Sequence, residues 1–276
     1  MTFAPIRHSF RLVFLLFLSC LAFQGFSYAA TPFDLDDLAA RLAPEIDKAG
    51  VKSVAVVDFV AADEKPTDLG WYLANKLSDS IVIKIPAIVV VDRTKLQQSS
   101  LASVDARSAD TLKRIGTASG ADTVLAGKFE ITEDKYLITV VLLKISDGST
   151  SAPLTYSLPH SRILDLLSPN GDHASGAKAY RAGVMGVGVP VCLYCPAPAN
   201  TARWQTSQPQ NVILQVIISR AGAAEKIHVV RSPGYFLSER AIEAVSEWKF
   251  RPAPGEDGKP TTVDVPIEVT FKTSRT

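Results

Sequence analysis

Between residues 35 and 146 the hydrophobic pattern changes repeatedly from the period of a helix to that of a strand. Apolar residues recur every three or four positions in DLDDLAARLAPEIDKAG, DLGWYLANKLSDSIVIK and SADTLKRIGTASGAD, which predicts three amphipathic helices. VKSVAVVDFV and PAIVVVDR are nearly continuous apolar runs, as in strands buried on both faces. TVLAGKFEI and YLITVVLLKIS are joined by the hairpin-length turn TEDK. The order helix-β-α-β-α-β-β predicts a mixed sheet with helices packed against it.

Polar residues at the element ends allow two interpretations. Gly50 is predicted to end the first helix, and Asp68 and Ser108 are candidate N-caps of the next two. Asp58 and Asp92 each follow a predicted strand, where open α/β sheets tend to place ligands. Because no glycine-rich phosphate loop follows either strand, both aspartates are interpreted as caps of neighbouring backbone N–H groups.

The order of these segments resembles a known group of envelope proteins. VAVVDF, LGWYLANKL, VVVDR, GADTVLAGKF and a closing strand with DG are similar to the N-terminal domain of TolB and to the related CsgG and FlgO proteins. The resemblance covers residues 45–158. It implies interaction and assembly in the cell envelope rather than catalysis.

The last third of the chain has a different pattern. NVILQVIISRAG and KIHVVRSPG predict a hairpin that turns at Gly222, and FLSERAIEAVSEWKF predicts a helix capped by Ser238. TTVDVPIEVTFK alternates apolar and polar residues, as a strand with one buried face does. We expect the apolar stripe of the helix to lie across this small antiparallel sheet. Trp248, Phe250 and Pro252 are interpreted as core rather than as a binding platform.

This second region resembles the C-terminal domain of TonB-type energy transducers. AIEAVSEWKFRPAP and GKPTTVDVPIEVTF match the family's hallmark, and CLYCPAP matches the opening stretch of one of its variants. In that family an outer-membrane receptor peptide pairs with an exposed strand edge. The resemblance therefore implies a peptide-binding edge on the final strand. The candidate residues are Val263, Val265, Ile267, Val269 and Phe271.

Pro266 favours an edge position for that strand, because proline cannot donate a hydrogen bond to a neighbouring strand. Two alternatives stay open: the strand is buried, or it pairs with a second copy of the chain. The predicted fold class is α+β with two domains. They are a mixed sheet domain over residues 31–158 and a small sheet-and-helix domain over residues 192–276, joined by a glycine-containing linker over residues 159–191.

Residues 1–30 have the features of a secretory signal peptide. Arg7 and Arg11 precede the apolar run Leu12–Phe23, and small residues follow in SYAA. The run is shorter than the roughly 20 apolar residues of a membrane-spanning helix, so an uncleaved anchor is the alternative. Lipidation at Cys20 is a weaker alternative, because large apolar residues precede it. We expect a periplasmic protein of a Gram-negative-type envelope.

Cys192 and Cys195 are the cysteines that remain after removal of the signal. Outside the cytosol such a pair usually forms a disulfide. A thiol–disulfide active site is the alternative, but it needs a helix N-terminus that the following prolines do not favour. With His160 and His173 the cysteines could complete a zinc site, although neither histidine has a partner at the usual spacing.

These observations predict a non-enzymatic envelope protein with no cofactor and no metal. Its second domain would bind extended segments of envelope or outer-membrane proteins, or peptidoglycan, while its first domain would act in assembly. The formal charge of +1 gives no basic face for nucleic acid. Homo-oligomers are compatible with the first domain. The alternatives are a true energy transducer that keeps its anchor and a periplasmic thiol–disulfide protein.

Overall fold

The helix and strand patterns of the first half fold into one mixed sheet with helices packed on it, in a computed structural model of the chain. The structure describes residues 35–62, 67–93, 96, 108–169, 179–198, 209–233 and 237–272, which belong to one compact unit. Both helices and sheets are present, which confirms the α+β class. The first half contains α1 (Asp36–Ala49), β1 (Ser53–Val56), β2 (Val60–Ala61), α2 (Asp68–Lys84), β3 (Val89–Val90), α3 (Ala109–Ser119), β4 (Thr123–Ile131), β5 (Lys135–Lys144) and β6 (Leu154–Pro159).

The first sheet has the strand order β3-β1-β4-β5-β6, with β2 also paired to β4. Strand β1 pairs in parallel with β3 and β4, whereas β4, β5 and β6 pair antiparallel. The prediction of a mixed sheet is therefore confirmed. Helix α1 buries its leucine and isoleucine stripe, and α2 is buried along most of its length.

Two of the three predicted helix ends are confirmed. Gly50 ends α1 in the left-handed conformation, and the Ser108 hydroxyl accepts a hydrogen bond of 3.1 Å from the Thr111 N–H at the start of α3. The predicted cap of α2 is wrong by one residue. Thr67 caps that helix by accepting from the Gly70 N–H at 3.0 Å, and Asp68 is the first helical residue. The Asp68 carboxylate is thereby available for another contact.

The predicted continuous strand VKSVAVVDFV is interrupted between β1 and β2. The Val56 carbonyl accepts a hydrogen bond from the Arg93 side chain, and the Phe59 N–H donates to the Gly70 carbonyl at 3.2 Å instead of to a strand. A side chain at position 70 would place its Cβ 1.8 Å from the Phe59 carbonyl oxygen. Glycine at position 70 therefore lets α2 come close enough for its backbone to accept the Phe59 hydrogen bond that a neighbouring strand would otherwise accept. Asp58, which follows β1, pairs with Arg93 rather than capping backbone N–H groups.

The first part of the segment predicted as a linker is packed. Helix α4 (Arg162–Leu167) is capped by the Ser161 hydroxyl and buries its leucines, and β6 immediately before it completes the first sheet. The predicted domain boundaries stay a prediction, but this part of the chain is held in place by packing and by strand pairing.

Where β6 meets α4, one histidine lies between two acceptors. The His160 Nδ1 lies 2.7 Å from an Asp165 carboxylate oxygen, which also accepts from the Tyr136 hydroxyl at 2.7 Å. The His160 Nε2 lies 3.0 Å from the Thr132 carbonyl oxygen. Because both ring nitrogens face acceptors, the protonated imidazolium fits best. The hydrogen bond to Asp165, and then that to Thr132, raise the pKa of His160 above its usual value.

We expect a proton titration of His160 by NMR to give a pKa above about 6.5 and the Asp165→Asn variant to lower it. The contribution of this contact to stability is fully present below the pKa of the unfolded chain, about 6.5, and is lost as the pH rises through the folded pKa. Asp257→Asn, in a distant hairpin, is the matched control and should leave the His160 titration unchanged. A His160 pKa at or below 6.5 in the parent protein would contradict this interpretation.

The last third of the chain forms a four-stranded sheet with the order β10-β9-β14-β7. Its elements, with two short ribbons β8–β11 and β12–β13, are β7 (Tyr180–Arg181), β8 (Val191–Tyr194), β9 (Gln210–Ile218), β10 (Ala224–Arg231), α5 (Leu237–Glu247), β11 (Lys249–Arg251), β12 (Ala253–Pro254), β13 (Pro260–Thr261) and β14 (Val263–Phe271). Helix α5 packs on β9 and β10, as predicted. The hairpin turns at Gly222, which has a φ of 77°. Ser238 lies inside α5 rather than at its cap and donates to the Ser232 hydroxyl.

Candidate functional site

The final strand β14 presents its side chains and its backbone in different directions. Val263, Val269 and Phe271 are buried on the face that α5 covers, and Val265 and Ile267 on the same face are half-buried. Strand β14 pairs antiparallel with β9 over its whole length without a bulge. The five candidate residues therefore contribute mainly to the core, and an incoming strand would meet the backbone of β14.

Strand β7 shows which backbone groups of β14 point away from β9. The Tyr180 N–H donates to the Thr262 carbonyl at 3.0 Å, and the Ala182 N–H donates to the Asp264 carbonyl at 3.2 Å. The backbone groups of a strand alternate in direction from residue to residue, so the even-numbered residues of β14 point outward. Beyond β7 these are Pro266, Glu268 and Thr270. The backbone of these three residues pairs with no other strand among the residues that the structure describes.

Pro266 falls on the outward side, where its missing N–H removes no hydrogen bond to β9. Glu268 and Thr270 supply outward N–H and C=O groups, and they also face solvent with their side chains. The free part of this edge, residues 266–270, is named the β14 edge below. It has the geometry that an extended peptide needs in order to add a strand.

The opposite edge of the same sheet, β10, is contacted by residues from earlier in the chain. An Asp68 carboxylate oxygen lies 2.7 Å from the His228 Nδ1, and the other accepts from the Val229 N–H at 3.4 Å. Helix α4 also packs against β10. Capped and covered edges do not recruit further strands. Asp68 thus occupies one outward N–H of β10, and α4 packs against that strand, whereas residues 266–270 of β14 pair with no strand beyond β9 in the described chain.

Polar contacts of α5 join the C-terminal sheet to the part of the chain that precedes it, which includes α2 and α4. The Lys76 ammonium lies 2.6 Å from a Glu243 carboxylate oxygen, and Arg240 donates to the other oxygen at 2.7 Å. The Arg162 side chain donates to the Ser246 carbonyl at 2.7 Å. Burial raises the pKa of the Glu239 carboxyl in the first turn of α5, and the positive charges of Lys76 and Arg93 oppose that shift. The contacts of Lys76 and Arg162 with α5 thus hold this helix in place on the C-terminal sheet.

The solvent face of the sheet beside the β14 edge is polar and acidic. Asp264 accepts from the Gln215 side-chain amide at 2.7 Å, and Glu268 accepts from the Asn211 side-chain amide. Arg181 on β7 stands directly opposite Asp264. A partner strand that pairs with residues 266–270 of β14 would thus meet the Glu268 side chain on this face.

The predicted disulfide between Cys192 and Cys195 is present, with the Cα atoms 6.1 Å apart. Both cysteines belong to the β8 region rather than to a helix N-terminus, so the arrangement that stabilises a reactive thiolate is missing at this pair. Nearby, Phe250 is buried as expected, whereas Trp248 is only half-buried and donates to the Pro196 carbonyl at 3.0 Å.

The zinc alternative has no support in the described residues. His160 is engaged by Asp165 and Thr132, while His173 lies outside the described residues. Within the part of the chain that the structure covers, no three histidine, cysteine or acidic side chains group as metal ligands. No helix in that part has the length and apolar character needed to cross a membrane.

Sequence patterns did not reveal what decides which edge is free. Strand β7 has two residues, too few for a periodic signal, and the contact between Asp68 and β10 joins residues 160 positions apart. The single clue was Pro266, which marks the outward side of β14 correctly.

Comparison with known families agrees with the geometry of this region. Residues 205–273 match the model of the Gram-negative bacterial TonB protein C-terminal family. The match covers about a quarter of the chain, from just before β9 to the end of β14. It fits a periplasmic envelope protein that binds partners, and the matched family is non-enzymatic. No curated protein matches the chain.

Several solved structures are similar at low identity. The LpoB C-terminal domain from Salmonella enterica is 11% identical, with a TM-score of 0.37, covering 46% of this chain and 96% of that one. Lipoprotein GNA1162 from Neisseria meningitidis is 16% identical, with a TM-score of 0.31, covering 40% and 81%. TolB from Acinetobacter baumannii is 14% identical, with a TM-score of 0.27, covering 66% and 37%. Because each TM-score is below 0.5, no conclusion about this chain rests on them.

Proposed function

We propose that this chain is a non-enzymatic periplasmic protein that binds an extended segment of an envelope or outer-membrane partner at the β14 edge. The single observation that carries the proposal is the asymmetry of the C-terminal sheet. Asp68 and α4 contact β10, whereas the outward backbone of Pro266, Glu268 and Thr270 has no strand beside it in the described chain. The TonB C-terminal match over the same region supports it.

In this proposal the first half is a scaffold for the binding sheet. Lys76, Arg162 and Asp68 each contact α5 or β10 and so fix the orientation of the sheet. Binding of a strand costs less conformational entropy when the edge is already rigid, because the edge does not have to be ordered first. The resemblance of this half to TolB, CsgG and FlgO proteins stays a prediction, as does an assembly role.

The partner that this edge accepts is an extended, unpaired peptide. The backbone of β14 supplies the affinity, and the side chains beside it set the preference. Because Glu268 stands on the solvent face of the edge, a lysine or arginine in the partner strand opposite it would be favoured. Peptidoglycan has no such strand backbone to offer over several residues, so a protein segment is the better fit to this site.

We expect Glu268→Pro to weaken partner binding at least about tenfold, because it removes an outward N–H and places a ring in the path of the incoming strand. The β9–β14 ladder uses the odd-numbered residues, so the fold should persist. Binding is measured on the protein purified from the periplasm of an expression host, with immobilised, detergent-solubilised outer-membrane proteins as the probe. Hydrogen exchange of the outward Glu268 and Thr270 N–H groups in the complex reports whether a strand has been added there.

Glu268→Ala is the matched control, since it removes the same carboxylate but keeps the N–H, and it should bind within about threefold of the parent. Ile267→Pro tests the assignment of directions, because its N–H points toward β9 and its loss should destabilise the sheet. Binding that survives Glu268→Pro, or a complex of the parent protein without added protection of the Glu268 and Thr270 N–H groups, would refute strand addition at this edge.

The energy-transducer alternative depends on residues 1–30, which lie outside the described residues. N-terminal sequencing of the exported protein separates the two ideas. A start at Thr31 removes the anchor, whereas an intact Met1 on a membrane-bound protein would favour the transducer.

A further inference from the structure

Exposed apolar side chains are concentrated in one short segment of the chain. Seven of the eleven large hydrophobic residues that are exposed in the described structure fall between Tyr180 and Tyr194. Met185 is 82% exposed, more than any other. We name six of these residues the apolar strip: Val184, Met185, Val189, Val191, Leu193 and Tyr194. Exposed patches of this kind mark interaction sites in soluble proteins.

The backbone holds the apolar strip rigidly in solvent. In the loop before β8, the Gly183 N–H donates to the Val187 carbonyl at 3.0 Å, and the Gly188 N–H donates to the Pro254 carbonyl at 2.8 Å. Met185 itself has a φ of 53°, a left-handed conformation that costs energy for a residue with a side chain. The strand β8 is paired with β11 and closed by the disulfide. The strip cannot fold back to bury itself, so it is preorganised for a partner.

The charges at the two ends of the strip have opposite signs. A side chain at Gly186 would come 3.1 Å from the Glu256 Cγ, which places Glu256 beside the Met185 end. At the other end, Arg251 stands opposite Val191 and Lys249 stands opposite Tyr194 on the β8–β11 ribbon. These three charged side chains form no ion pair with any described residue.

Neighbouring charges, by contrast, have partners within the chain. Asp257 lies 3.6 Å from Lys259, and Arg181 stands opposite Asp264. The strip is therefore flanked by one acid at one end and two bases at the other, all three available to another molecule.

We propose that the apolar strip packs antiparallel against the same strip of a second copy, forming a two-fold dimer. A two-fold axis reverses the direction of the strip, which brings Glu256 of each copy to Lys249 and Arg251 of the other. A parallel arrangement would bring like charges together. The strip is thus complementary to itself in one orientation.

The apolar strip is exposed enough to form the centre of such a dimer interface. Its six residues are between 43% and 82% exposed, and a standard-size interface buries about 800 Å² per partner, including its polar rim. The strand β8 also carries no charge or proline that would keep another strand away, as isolated edges usually do. No residue of the strip belongs to the β14 edge, and the proposal does not depend on the proposed function.

The test is the oligomeric state of the protein purified from the periplasm, by sedimentation velocity between about 1 and 100 μM, where a dimer of micromolar affinity dissociates on dilution. The expected result is a dimer that weakens as salt rises. Leu193→Glu should shift dissociation by at least about a hundredfold, because it places a charge in the apolar centre. Val230→Glu is the matched control, since Val230 is 55% exposed on β10 outside the strip.

Charge reversal tests the antiparallel orientation. Lys249→Glu with Arg251→Glu should weaken the dimer, Glu256→Lys should weaken it as well, and the triple variant should restore it. Circular dichroism checks that each variant is folded. A parent protein that stays monomeric at 100 μM overturns the proposal, as does a dimer that survives Leu193→Glu or a triple variant that is weaker than both partial reversals. A monomer that floats with phosphatidylglycerol vesicles would assign the strip to a lipid surface instead, which also overturns it.

Discussion

Arg93→Met is expected to lower the free energy of unfolding by about 3–5 kcal/mol, because it removes one partner from a buried charge network. The Arg93 guanidinium donates to the Asp58 carboxylate, to the Asn75 side-chain oxygen and to the Val56 carbonyl. The Arg93 side chain is 9% exposed and that of Asp58 22%. Methionine would fill part of the volume but would leave a carboxylate and a carbonyl without their donor.

The same substitution should also affect the second half of the chain. The positive charge of Arg93 lowers the pKa of the buried Glu239 carboxyl, against the larger effect of burial. Without that charge, Glu239 is expected to bind its proton more tightly. The free energy of unfolding of the parent and the variant is measured by urea denaturation, with tryptophan fluorescence as the signal.

Arg114→Met is the matched control, since Arg114 is exposed on α3 and forms no ion pair with a described residue. It should change the free energy of unfolding by less than about 0.5 kcal/mol. A loss below 1 kcal/mol for Arg93→Met would mean that Asp58 and Asn75 find other partners, and the proposed network would be wrong.

Strongly periodic segments were predictable from the sequence. Strands β4 and β5 lie on either side of the predicted turn, β9 and β14 lie where the alternation placed them, and α1 ends at the predicted glycine. Strands β9 and β14 bury alternate residues and α1 buries one stripe, so their periodicity is enforced by packing. Strand β6 was not predicted, since it lies at an edge and its alternating exposure is set by a single neighbouring strand.

The rest depended on pairs of residues far apart in the chain. Lys76, Asp68 and Glu243 are charged residues of amphipathic helices, where such residues usually face solvent. Nothing in the neighbouring sequence indicates that they have distant partners. Their partners lie in the other half of the molecule, at separations of 160 residues or more. The candidate strand β14 was therefore predictable. The contacts of Asp68 and α4 with β10, at the other edge of the same sheet, were not.

The Lys76–Glu243 ion pair tests whether the two halves unfold together. The two side chains are 10% and 20% exposed, and they join α2 to α5. Glu243→Gln should lower the free energy of unfolding by about 3 kcal/mol, because it leaves the Lys76 ammonium largely buried beside a neutral group. Lys76→Met should cost less, since Arg240 still neutralises Glu243 at 2.7 Å.

The double variant Lys76→Met with Glu243→Gln separates the pair from its surroundings. Its loss should be smaller than the sum of the single losses by about 1–3 kcal/mol, since the second substitution removes a charge that the first has already left unpaired. The exposed pair Lys128–Glu130, at 3.7 Å on β4, is the matched control and should show a coupling below about 0.5 kcal/mol.

Calorimetry of the same variants then shows what the contact does for the site. If α2 holds α5 in place, the parent protein unfolds in one transition, and Glu243→Gln separates a lower transition that belongs to the C-terminal sheet. Additive single losses, or two transitions already in the parent, would contradict a rigid connection. In that case the first half could not act as the scaffold for the β14 edge, because Asp68 would not be kept against the β10 edge when a partner strand binds on the opposite side.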